Sequence, residues 1–456
     1  MHRQCWSDSV RAQYKTCGRM IMPEHVDYER LTDPVTQPGI TALRSSRRNI
    51  LIIVQNLPVP FDRRVWQEAN TLRLAGFGVA VICPKSKTYS KSYERQDGVD
   101  IYRYPLLIEA DNSVIGYVLE FVCCWFATLW LAFRAYCKCP FHVIHACNPP
   151  DTYFGIALLF RPLGVKFVFD HHDLCPELYV AKGHAKSGLI YRTLLLLERM
   201  TFRTADMVIA ANESYRQVAK TRGGVPGRKI VVVRSGPRRG WAQLCASRAE
   251  LKQGRKYLVV FLGQIGKQDG VDYLLRAIRV YRRYYTNDTL FAIIGEGPSL
   301  RDMRRVAAKL GVGECVCFTG RISDEQLCSY LCTADVCVDP DPWTEFTNVS
   351  TMNKIIEYMS LGRPIVAFDL LEHRRSALEA AHYVEPNDVR KFATSIRVLL
   401  EDEQRRECMS KFATDRFQHA LAWEVSEDHL VRAYSEMLNE SDFVSYQYAP
   451  VKDEHA

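Results

Sequence analysis

Lys354 and Glu357 stand three residues apart in the segment Ser350–Asp369, which reads STMNKIIEYMSLGRPIVAFD. Residues at this spacing are neighbours on one face of a helix, so the two charges would point the same way. Gly362 and Pro364 would end that helix, and the apolar run after them predicts a buried strand. A carboxylate facing a pocket beside a strand end can accept both hydroxyls of a ribose. The alternative is a surface ion pair between the two charges, which contributes little stability.

Glycine-rich loops follow two strand-like runs in the second half of the chain and could approach phosphates. They read FLGQIGKQDG and IIGEGP. Backbone amides in such loops can contact phosphate oxygens, although a glycine-rich strand end is as often only a turn. Together with the helix start at Ser350 they predict a phosphate-facing set, which is Gly263, Gly266, Lys267, Gly295, Gly297, Ser350, Thr351, Asn353 and Lys354.

Polar stretches also follow apolar strands in the first half, namely PFDRRVWQEA, HACNPPD and DHHDLCPEL. The carboxyl ends of parallel strands meet at one edge of a sheet, so these stretches should face one crevice. His171, His172 and Asp173 form a polar group suited to positioning hydroxyls. A metal site is the competing interpretation, which we disfavour because adjacent residues alternate faces and no third ligand is nearby.

Two further motifs carry charge at element ends. Arg63 and Arg64 begin a helix, where cations oppose the helix dipole, and this mismatch favours a role in clamping an anionic acceptor. The sequence DPD, Asp339 to Asp341, resembles a metal-binding Asp-x-Asp motif. Because a proline lies between the two aspartates at a strand end, we favour a turn there.

The composition limits the possible classes of protein. A chain of 456 residues is too long for one ordinary core and predicts two or three domains. The net charge of +8 fits an anionic ligand or membrane surface, and no nucleic-acid partner is expected because the basic residues are scattered. The sixteen cysteines include no CxxC pair and predict buried thiols in a reducing cytoplasm.

Two halves rich in alternating strands and helices would position these residues. Strand NILIIVQNL, helix DRRVWQEANTLRLAGF and strand VAVICP form a βαβ unit, which implies a parallel sheet. The second half repeats the scheme from YLVVFLGQIG to PIVAFD. We therefore predict an α/β fold with two doubly wound, Rossmann-like domains facing a central crevice.

The domain boundaries follow from these runs. We predict an irregular or disordered lead at 1–48, a first domain at 49–225, a second at 226–423, a helix at about 424–438 and a loose tail at 439–456. The most apolar segment, Phe121–Phe133, has thirteen residues and is too short to span a bilayer. We favour a buried helix over an interfacial one, although Trp125 and Trp130 would suit a membrane interface.

With these residues assembled, the chain resembles a GT-B glycosyltransferase of family 4, the retaining, nucleotide-sugar-dependent kind, over about residues 49–438. The segment STMNKIIEYMSLGRPIVAFD is its most specific part. It is similar to the nucleotide-sugar segment of a bacterial subgroup that builds surface polysaccharides, including aminosugar transferases of O-antigen synthesis. PFDRRVWQEA, FDHHDLCPELY and VVRSGP resemble other signatures of that subgroup.

The resemblance implies roles for individual residues. Glu357 would bind the ribose of a nucleotide such as UDP, and the Ser350 region would meet the diphosphate and sugar. His172 would touch the transferred sugar near the reacting carbon, and we assign it with Asp173 to the catalytic group. The last helix, after Trp423, would cross back onto the first domain. The acceptor side would be shaped by Asp62, Arg63, Arg64, Asp151 and Glu177.

The chain also departs from the family pattern. Val349 stands where the family has the first glutamate of a pair, and Gln264 and Asp269 stand where it often has Arg and Lys. Lys267 or Lys354 must then neutralise the diphosphate, because positive groups stabilise charge developing on the leaving group. Under this interpretation no metal or other cofactor is required.

The resemblance predicts transfer of a hexosyl or N-acetylhexosaminyl group from a nucleotide sugar, UDP-linked, to a hydroxyl of a growing, lipid-linked glycan. The expected location is the cytoplasm, with peripheral contact at the inner face of the plasma membrane. Two alternatives stay open. One is a nucleotide-sugar epimerase of the same fold, using Asp173 or Glu177 to abstract a proton. The other is a non-catalytic partner in glycan assembly, consistent with Val349 and Gln264.

Overall fold

The computed structural model describes residues 48–106, 114–244, 246–285 and 287–438. Apart from Arg48, the predicted lead lies outside the described residues, as does the predicted tail. Two parallel sheets covered by helices make up the described part of the chain, and both belong to one compact unit that begins at Arg47.

Eight strands form the first sheet: β1 (Asn49–Ile53), β2 (Gly78–Pro84), β3 (Tyr93–Gln96), β4 (Val99–Tyr104), β5 (Val143–Cys147), β6 (Lys166–His171), β7 (Met207–Ala210) and β8 (Ile230–Val232). Their order is β3-β4-β2-β1-β5-β6-β7-β8, and only the edge strand β3 runs antiparallel to its neighbour. The central strands are continuous apolar runs because helices cover both faces of the sheet.

Among the described residues, six helices connect these strands: α1 (Arg63–Leu74), α2 (Val114–Lys138), α3 (Phe154–Phe160), α4 (Cys175–Ala181), α5 (Leu189–Thr204) and α6 (Glu213–Thr221). Residues of α1 share a buried cluster with one face of the sheet. Residues of α2, α3, α5 and α6 share a second cluster with the opposite face.

Six parallel strands form the second sheet: β9 (Tyr257–Leu262), β10 (Thr289–Ile294), β11 (Val316–Gly320), β12 (Val336–Asp339), β13 (Ile365–Phe368) and β14 (Ala381–Val384). Their order is β11-β10-β9-β12-β13-β14. The helices that follow α6 in the described part of the chain are α7 (Val271–Tyr284), α8 (Leu300–Leu310), α9 (Asp324–Thr333), α10 (Asn353–Ser360), α11 (Leu371–Ala377), α12 (Val389–Glu401), α13 (Glu403–Arg416) and α14 (Trp423–Leu438).

The predicted class, two doubly wound parallel-sheet domains, is confirmed. The predicted boundary between residues 225 and 226 is too early, because β8 pairs in parallel with β7 and completes the first sheet. Strands β3, β4 and β14 were not predicted; β3 is polar, and β14 interrupts its apolar residues with His382.

The chain passes between the two domains twice, and the two crossings touch. Trp423, at the start of α14, donates its backbone N–H to the carbonyl of Pro237 at 3.1 Å. A Cβ placed on Gly236 would lie 2.7 Å from the carbonyl oxygen of Leu421. Helix α14 then packs on the first domain, where Tyr434 and Trp423 are fully buried.

Helix α2 corrects the prediction for the apolar segment. It runs for 25 residues, well beyond Phe121–Phe133, and its stretch Val118–Lys138 is long and apolar enough to cross a membrane by length and composition. Cys124 and Ala132 pack into the core, but Phe126 and Trp130 are 61% and 69% exposed. The helix is therefore buried along one side only, and the favoured buried interpretation is wrong for its other side.

Candidate active site

Arg64, on the first turn of α1, organises the first-domain side of the crevice. Its Nη2 donates to Oδ1 of Asp170 at 2.8 Å, and its Nη1 donates to the carbonyl of Val233 and to Oγ of Ser235. Its Nε lies 2.8 Å from Nε2 of His172, which also contacts Oδ2 of Asp170. Arg64 is thus nearly buried and fully engaged, so the predicted clamp on an anionic acceptor is wrong for this residue.

The carboxylate of Asp170 holds the negative charge behind His172. Burial alone would raise its pKa, but Arg64 and His172 hold that pKa well below its ordinary value. The neighbouring Glu68 behaves in the opposite way, because burial and the charge of Asp170 raise its pKa well above the ordinary value. Asp170 was overlooked in the sequence, although a carboxylate ending the apolar strand β6 marks it.

Asn148, at the end of β5, fixes the backbone of the His-His-Asp stretch. Its Oδ1 accepts the backbone N–H of His172 at 2.6 Å and that of Asp173 at 3.1 Å. Its Nδ2 donates to Oδ1 of Asp151 at 2.9 Å. Asp151 is buried and supports Asn148, which corrects its predicted place on the acceptor surface, and burial raises its pKa to about 6.

The two adjacent histidines point to opposite sides, as alternation along a strand requires. His171 is fully buried and packs against Phe202 and Tyr215, and burial lowers its pKa to about 3. His172 and Asp173 are partly exposed. Only the latter two can meet a ligand in the crevice.

Glu177, on α4, forms a two-contact ion pair with Arg222, and Arg222 also donates to Glu198 at 2.6 Å. These contacts tie α4 and α5 to the residue after α6. The carboxylate of Glu177 is thus paired within the first domain, so an acceptor that contacted Glu177 would have to compete with Arg222.

The side chain of Arg63 extends from the first domain across the crevice and contacts the second domain. Its side chain pairs with Asp324 at the start of α9, and its Nη1 lies 3.7 Å from Oε1 of Glu357 on α10. Asp62 caps α1 by accepting the backbone N–H of Val65 at 3.1 Å. The contacts of Arg63 are with the second domain, and its assignment to the acceptor side stays a prediction, whereas the Asp62 side chain caps the helix.

Glu357 lies on the crevice side of α10 and is mostly buried. Burial raises the pKa of its carboxyl to about 7, against the opposing effect of Arg63. The predicted alternative, an ion pair with Lys354, does not form, because each of the two side chains has other partners. A carboxylate with this placement can accept ribose hydroxyls.

Lys354 is locked beneath the loop after β9. Its Nζ lies 2.7 Å from Oδ1 of Asp341 and 3.2 Å from Oδ1 of Asp339, and all three side chains are buried. The ammonium group of Lys354 is therefore the cation that pairs with Asp339 and Asp341 of the DPD motif. A Cβ on Gly263 would lie 3.3 Å from Cε of Lys354. Lys354 is therefore already paired with buried carboxyl groups, and its role in neutralising a diphosphate stays a prediction.

The two glycine-rich loops pack backbone against backbone. A Cβ on Gly295 would lie 1.8 Å from the carbonyl oxygen of Gly263, and one on Gly297 would lie 2.5 Å from that of Ile265. Gly295 and Gly297 thus permit this close approach, which accounts for them without a phosphate. The N–H of Gly266 donates to Oδ2 of Asp269 at 2.7 Å, so this amide is also occupied.

Lys267, in the loop after β9, is a positively charged residue that faces solvent. Its side chain is exposed. Among the described residues it forms no ion pair. Of the two lysines proposed to meet a diphosphate, Lys267 is the one that is free to move toward it.

The start of α10 is held by side chains of the first domain. Oγ of Ser350 lies 3.0 Å from the hydroxyl of Tyr215, and Nδ2 of Asn212 donates to Oγ1 of Thr351 at 3.0 Å. The first amides of a helix have no partner within the helix. The N–H of Ile355 donates to the carbonyl of Met352 at 3.0 Å, so the amide of the exposed Asn353 is the one placed to donate to a phosphate oxygen.

Arg234, just after β8, is a second cation at this point that sequence reasoning overlooked. Its Nη1 lies 3.4 Å from Oγ1 of Thr351 and 3.8 Å from Oε2 of Glu372 on α11. Burial lowers the pKa of its guanidinium, and the charge of Glu372 offsets this effect only in part. The motif VVRSGP contains it, so the signal was present without an assigned role.

Two family models match this chain and together span most of both domains. One, described as Glycosyl transferase 4-like domain, matches residues 62–236, and the other, described as Glycosyl transferases group 1, matches residues 256–402. The boundary between the matches falls after β8, as the sheets require.

Curated relatives share sequence over part of their length. The chain is 25% identical over 252 residues to an alpha-D-kanosaminyltransferase of Streptomyces kanamyceticus, covering 53% of this chain and 63% of that protein. It is 25% identical over 288 residues to the sulfoquinovosyl transferase SQD2 of Arabidopsis thaliana, covering 60% of this chain and 52% of that protein. The chain thus spans between half and two thirds of the length of these relatives.

Solved structures share the fold. A sucrose-phosphate synthase from Thermosynechococcus elongatus superposes with a TM-score of 0.69 at 19% identity, covering 87% of this chain and 100% of that one. Anabaena Alr3699/HepE in complex with UDP and glucose superposes with a TM-score of 0.65 at 14% identity, covering 86% and 100%. At these identities the likeness concerns the architecture alone.

Proposed function

The chain belongs to the GT-B glycosyltransferases of family 4, and on that premise we propose that it transfers a hexosyl or N-acetylhexosaminyl group from a UDP-sugar to a hydroxyl of a lipid-linked glycan. Glycosyltransferase activity is the general property of the family. The donor, the acceptor, the retaining course of the reaction and a role in cell-surface polysaccharide synthesis are parts of the proposal.

One observation carries the proposal. Glu357, the carboxylate expected to bind ribose, lies at the crevice 3.7 Å from Arg63 of the opposite domain. A nucleotide held by Glu357 would therefore extend toward the first domain. There His172 and Asp173 are the partly exposed polar groups at the end of β6. Transfer between two substrates needs groups on both sides of a crevice, and the positions of Glu357 on one side and of His172 and Asp173 on the other support this proposal.

The choice of UDP is supported by neighbours of the same architecture. Anabaena Alr3699/HepE was solved with UDP and glucose, and with UDP-glucose. The relatives by sequence are named for kanosaminyl, sulfoquinovosyl and GDP-mannose-dependent mannosyl transfer, so their names do not agree on one sugar or one nucleotide.

We propose that protein cations, without a metal or other cofactor, stabilise the leaving diphosphate. Lys267 is exposed on the donor loop, and Arg234 lies beside Thr351 at the start of α10. Positive groups already in place stabilise charge as it develops on the leaving group. His172, whose ring is fixed by Arg64 and Asp170, would then contact the sugar near the reacting carbon.

Thermal unfolding with UDP-, GDP-, dTDP- and ADP-sugars tests the donor assignment. A ligand at one hundred times its dissociation constant adds about 2.7 kcal/mol to the free energy of unfolding. We expect a UDP-sugar to stabilise the wild type and not Glu357→Ala. Glu314→Ala is the matched control, because this exposed glutamate precedes β11, at the edge of the sheet away from the crevice.

Two results would contradict the proposal. If another nucleotide class alone stabilised the protein, the UDP assignment would be wrong. If UDP-sugar stabilised Glu357→Ala as strongly as the wild type, this carboxylate would not bind the ribose. Product formation from the stabilising donor and a lipid-linked glycan, followed by chromatography, then tests the transfer itself.

A further inference from the structure

An exposed apolar surface on the first domain has no place in sugar transfer. On α2 the exposed apolar side chains recur every three or four residues, which puts them on one side of the helix. They are Val118, Leu119, Val122, Phe126, Trp130 and Phe133. Contiguous exposed apolar patches of this kind mark interaction sites.

The surface continues from α2 over α3 to α5. The indole of Trp125 donates to the carbonyl of Thr152 just before α3, and the ring centroids of Phe133 and Phe160 lie 4.9 Å apart. On the far side α3 contacts α5. The three helices cover the same face of the sheet, and the exposed apolar residues added by α3, its following turn and α5 are Leu158, Leu159, Leu163, Leu189, Ile190, Leu196 and Met200.

Basic residues alternate with these apolar ones. On α5 the exposed charged side chains are Arg192, Arg199 and Arg203, which share a side of the helix with Leu189 and Leu196. Its one acidic residue, Glu198, is buried against Arg222. In the described part of the chain none of the three arginines forms an ion pair, so their charges face outward uncompensated.

We propose that this α2–α3–α5 surface docks the enzyme onto an anionic phospholipid bilayer, lying in its interface. Tryptophan and phenylalanine partition into the interfacial region, and unpaired arginines attract anionic headgroups. A second protein copy would have to bury these uncompensated arginines against its own identical charges, whereas an anionic bilayer neutralises them. The proposal rests on the proposed function in one respect, that the acceptor is lipid-linked.

Helix α2 cannot serve as a membrane span in this arrangement. It connects β4 to β5, which lie in the same sheet, so both of its ends return to one folded body. Its inner side, including Cys124, Thr128 and Ala132, is packed into the core of that body. The bilayer therefore meets only the outer side, which also explains an apolar helix of membrane-spanning length in this domain.

Flotation of the full chain with vesicles tests the proposal. We expect binding to phosphatidylcholine vesicles that contain phosphatidylglycerol, weaker binding to phosphatidylcholine alone, and weakening by salt. Replacing Arg192, Arg199 and Arg203 by Glu should lower the apparent affinity at least about tenfold. Phe126→Ser combined with Trp130→Ser should weaken it similarly. The matched control replaces three exposed arginines of the second domain, Arg279, Arg283 and Arg301, by Glu, and should bind like the wild type.

The proposal is overturned if the wild type does not float with anionic vesicles, or if the two surface variants float as well as the control. It is also overturned if the free protein is a dimer that the Phe126 and Trp130 changes split without affecting flotation. Donor stabilisation, measured in parallel without vesicles, shows that each variant is folded. Because flotation needs no donor and donor stabilisation needs no vesicle, failure here is distinct from failure of the proposed transfer.

Discussion

Glu357 of α10 and Arg63 of α1 face each other across the crevice, with Oε1 and Nη1 3.7 Å apart. Of the adjacent residues Arg63 and Arg64, Arg63 contacts the second domain, where it also forms an ion pair with Asp324. A ribose that hydrogen-bonds Glu357, as we propose, would compete with Arg63 for this carboxylate, so donor binding would be coupled to the contact between the domains.

The affinity for a UDP-sugar should rise with pH through about 7. Burial places the pKa of Glu357 near that value, and the ionised carboxylate accepts hydrogen bonds from both ribose hydroxyls more strongly than the neutral acid does. Binding then releases a proton, so below that pKa the affinity falls by up to about tenfold per pH unit. Titration calorimetry between acidic and mildly alkaline pH measures this. Glu357→Gln cannot ionise and should bind the UDP-sugar weakly, with no such pH dependence. An equal pH dependence in this variant would mean that another group titrates.

Lys354→Met should unfold more easily than the wild type. It leaves the buried carboxylates of Asp339 and Asp341 without their cation, a loss worth about 3–5 kcal/mol for a broken buried pair. Chemical denaturation followed by fluorescence provides the measurement. Unchanged stability would mean that the two aspartates are held by other contacts.

Lys267→Ala should show the opposite combination, with ordinary stability and weakened donor binding. Its exposed side chain pairs with no carboxylate in the described residues, so the free energy of unfolding should change by less than about 0.5 kcal/mol. Loss of a hydrogen bond to a charged phosphate should weaken UDP-sugar binding by about tenfold. Donor affinity equal to that of the wild type would shift the diphosphate contact to Arg234.

His172→Ala should lower the transfer rate by about a hundredfold while leaving the dissociation constant of UDP unchanged. Its ring lies in the first domain between Arg64 and Asp170, whereas the proposed nucleotide site, around Glu357, lies in the second. The exposed His184, which stacks on Tyr179, provides the matched control variant His184→Ala. A parallel loss of UDP binding would show that His172 acts through the structure of the crevice.

Glu68→Gln should remove part of the loss of stability that accompanies rising pH. The pKa of Glu68 is raised in the folded state, so the unfolded chain releases this proton first, from about its ordinary value of 4.5 upward. Folding is then favoured most below that pH, and each further unit costs the wild type up to about 1.4 kcal/mol until the folded group ionises. Urea unfolding at several pH values compares the two proteins. Parallel curves would mean that Glu68 is ionised in the folded state.

The sequence allowed the fold class to be predicted, because apolar runs report burial and strand ends report position. It could not assign partners to charges. Lys354 and Glu357 share a helix turn, yet one pairs with the end of β12 and the other with α1. Arg64 likewise resembled a ligand-binding cation and proved to be an internal support for His172. Such choices depend on distances between elements that are far apart in the chain.

Helix α2 shows a related limit. Periodicity identified an apolar helix, but core burial and membrane contact place apolar residues on a helix in the same way. Only the position of α2 at the outside of the sheet, with Trp130 exposed and Ala132 buried, separates the two.

The paired crossings between the domains have a mechanical consequence. The two chain segments that link the domains are in direct contact: the carbonyl of Leu421 lies against Gly236, and the carbonyl of Pro237 accepts the N–H of Trp423. Contact between the two links limits how far they can move apart from each other. We therefore expect an opening that admits the donor to turn about these links and to separate Arg63 from Glu357. Any side chain in place of Gly236 would push the two links between the domains apart.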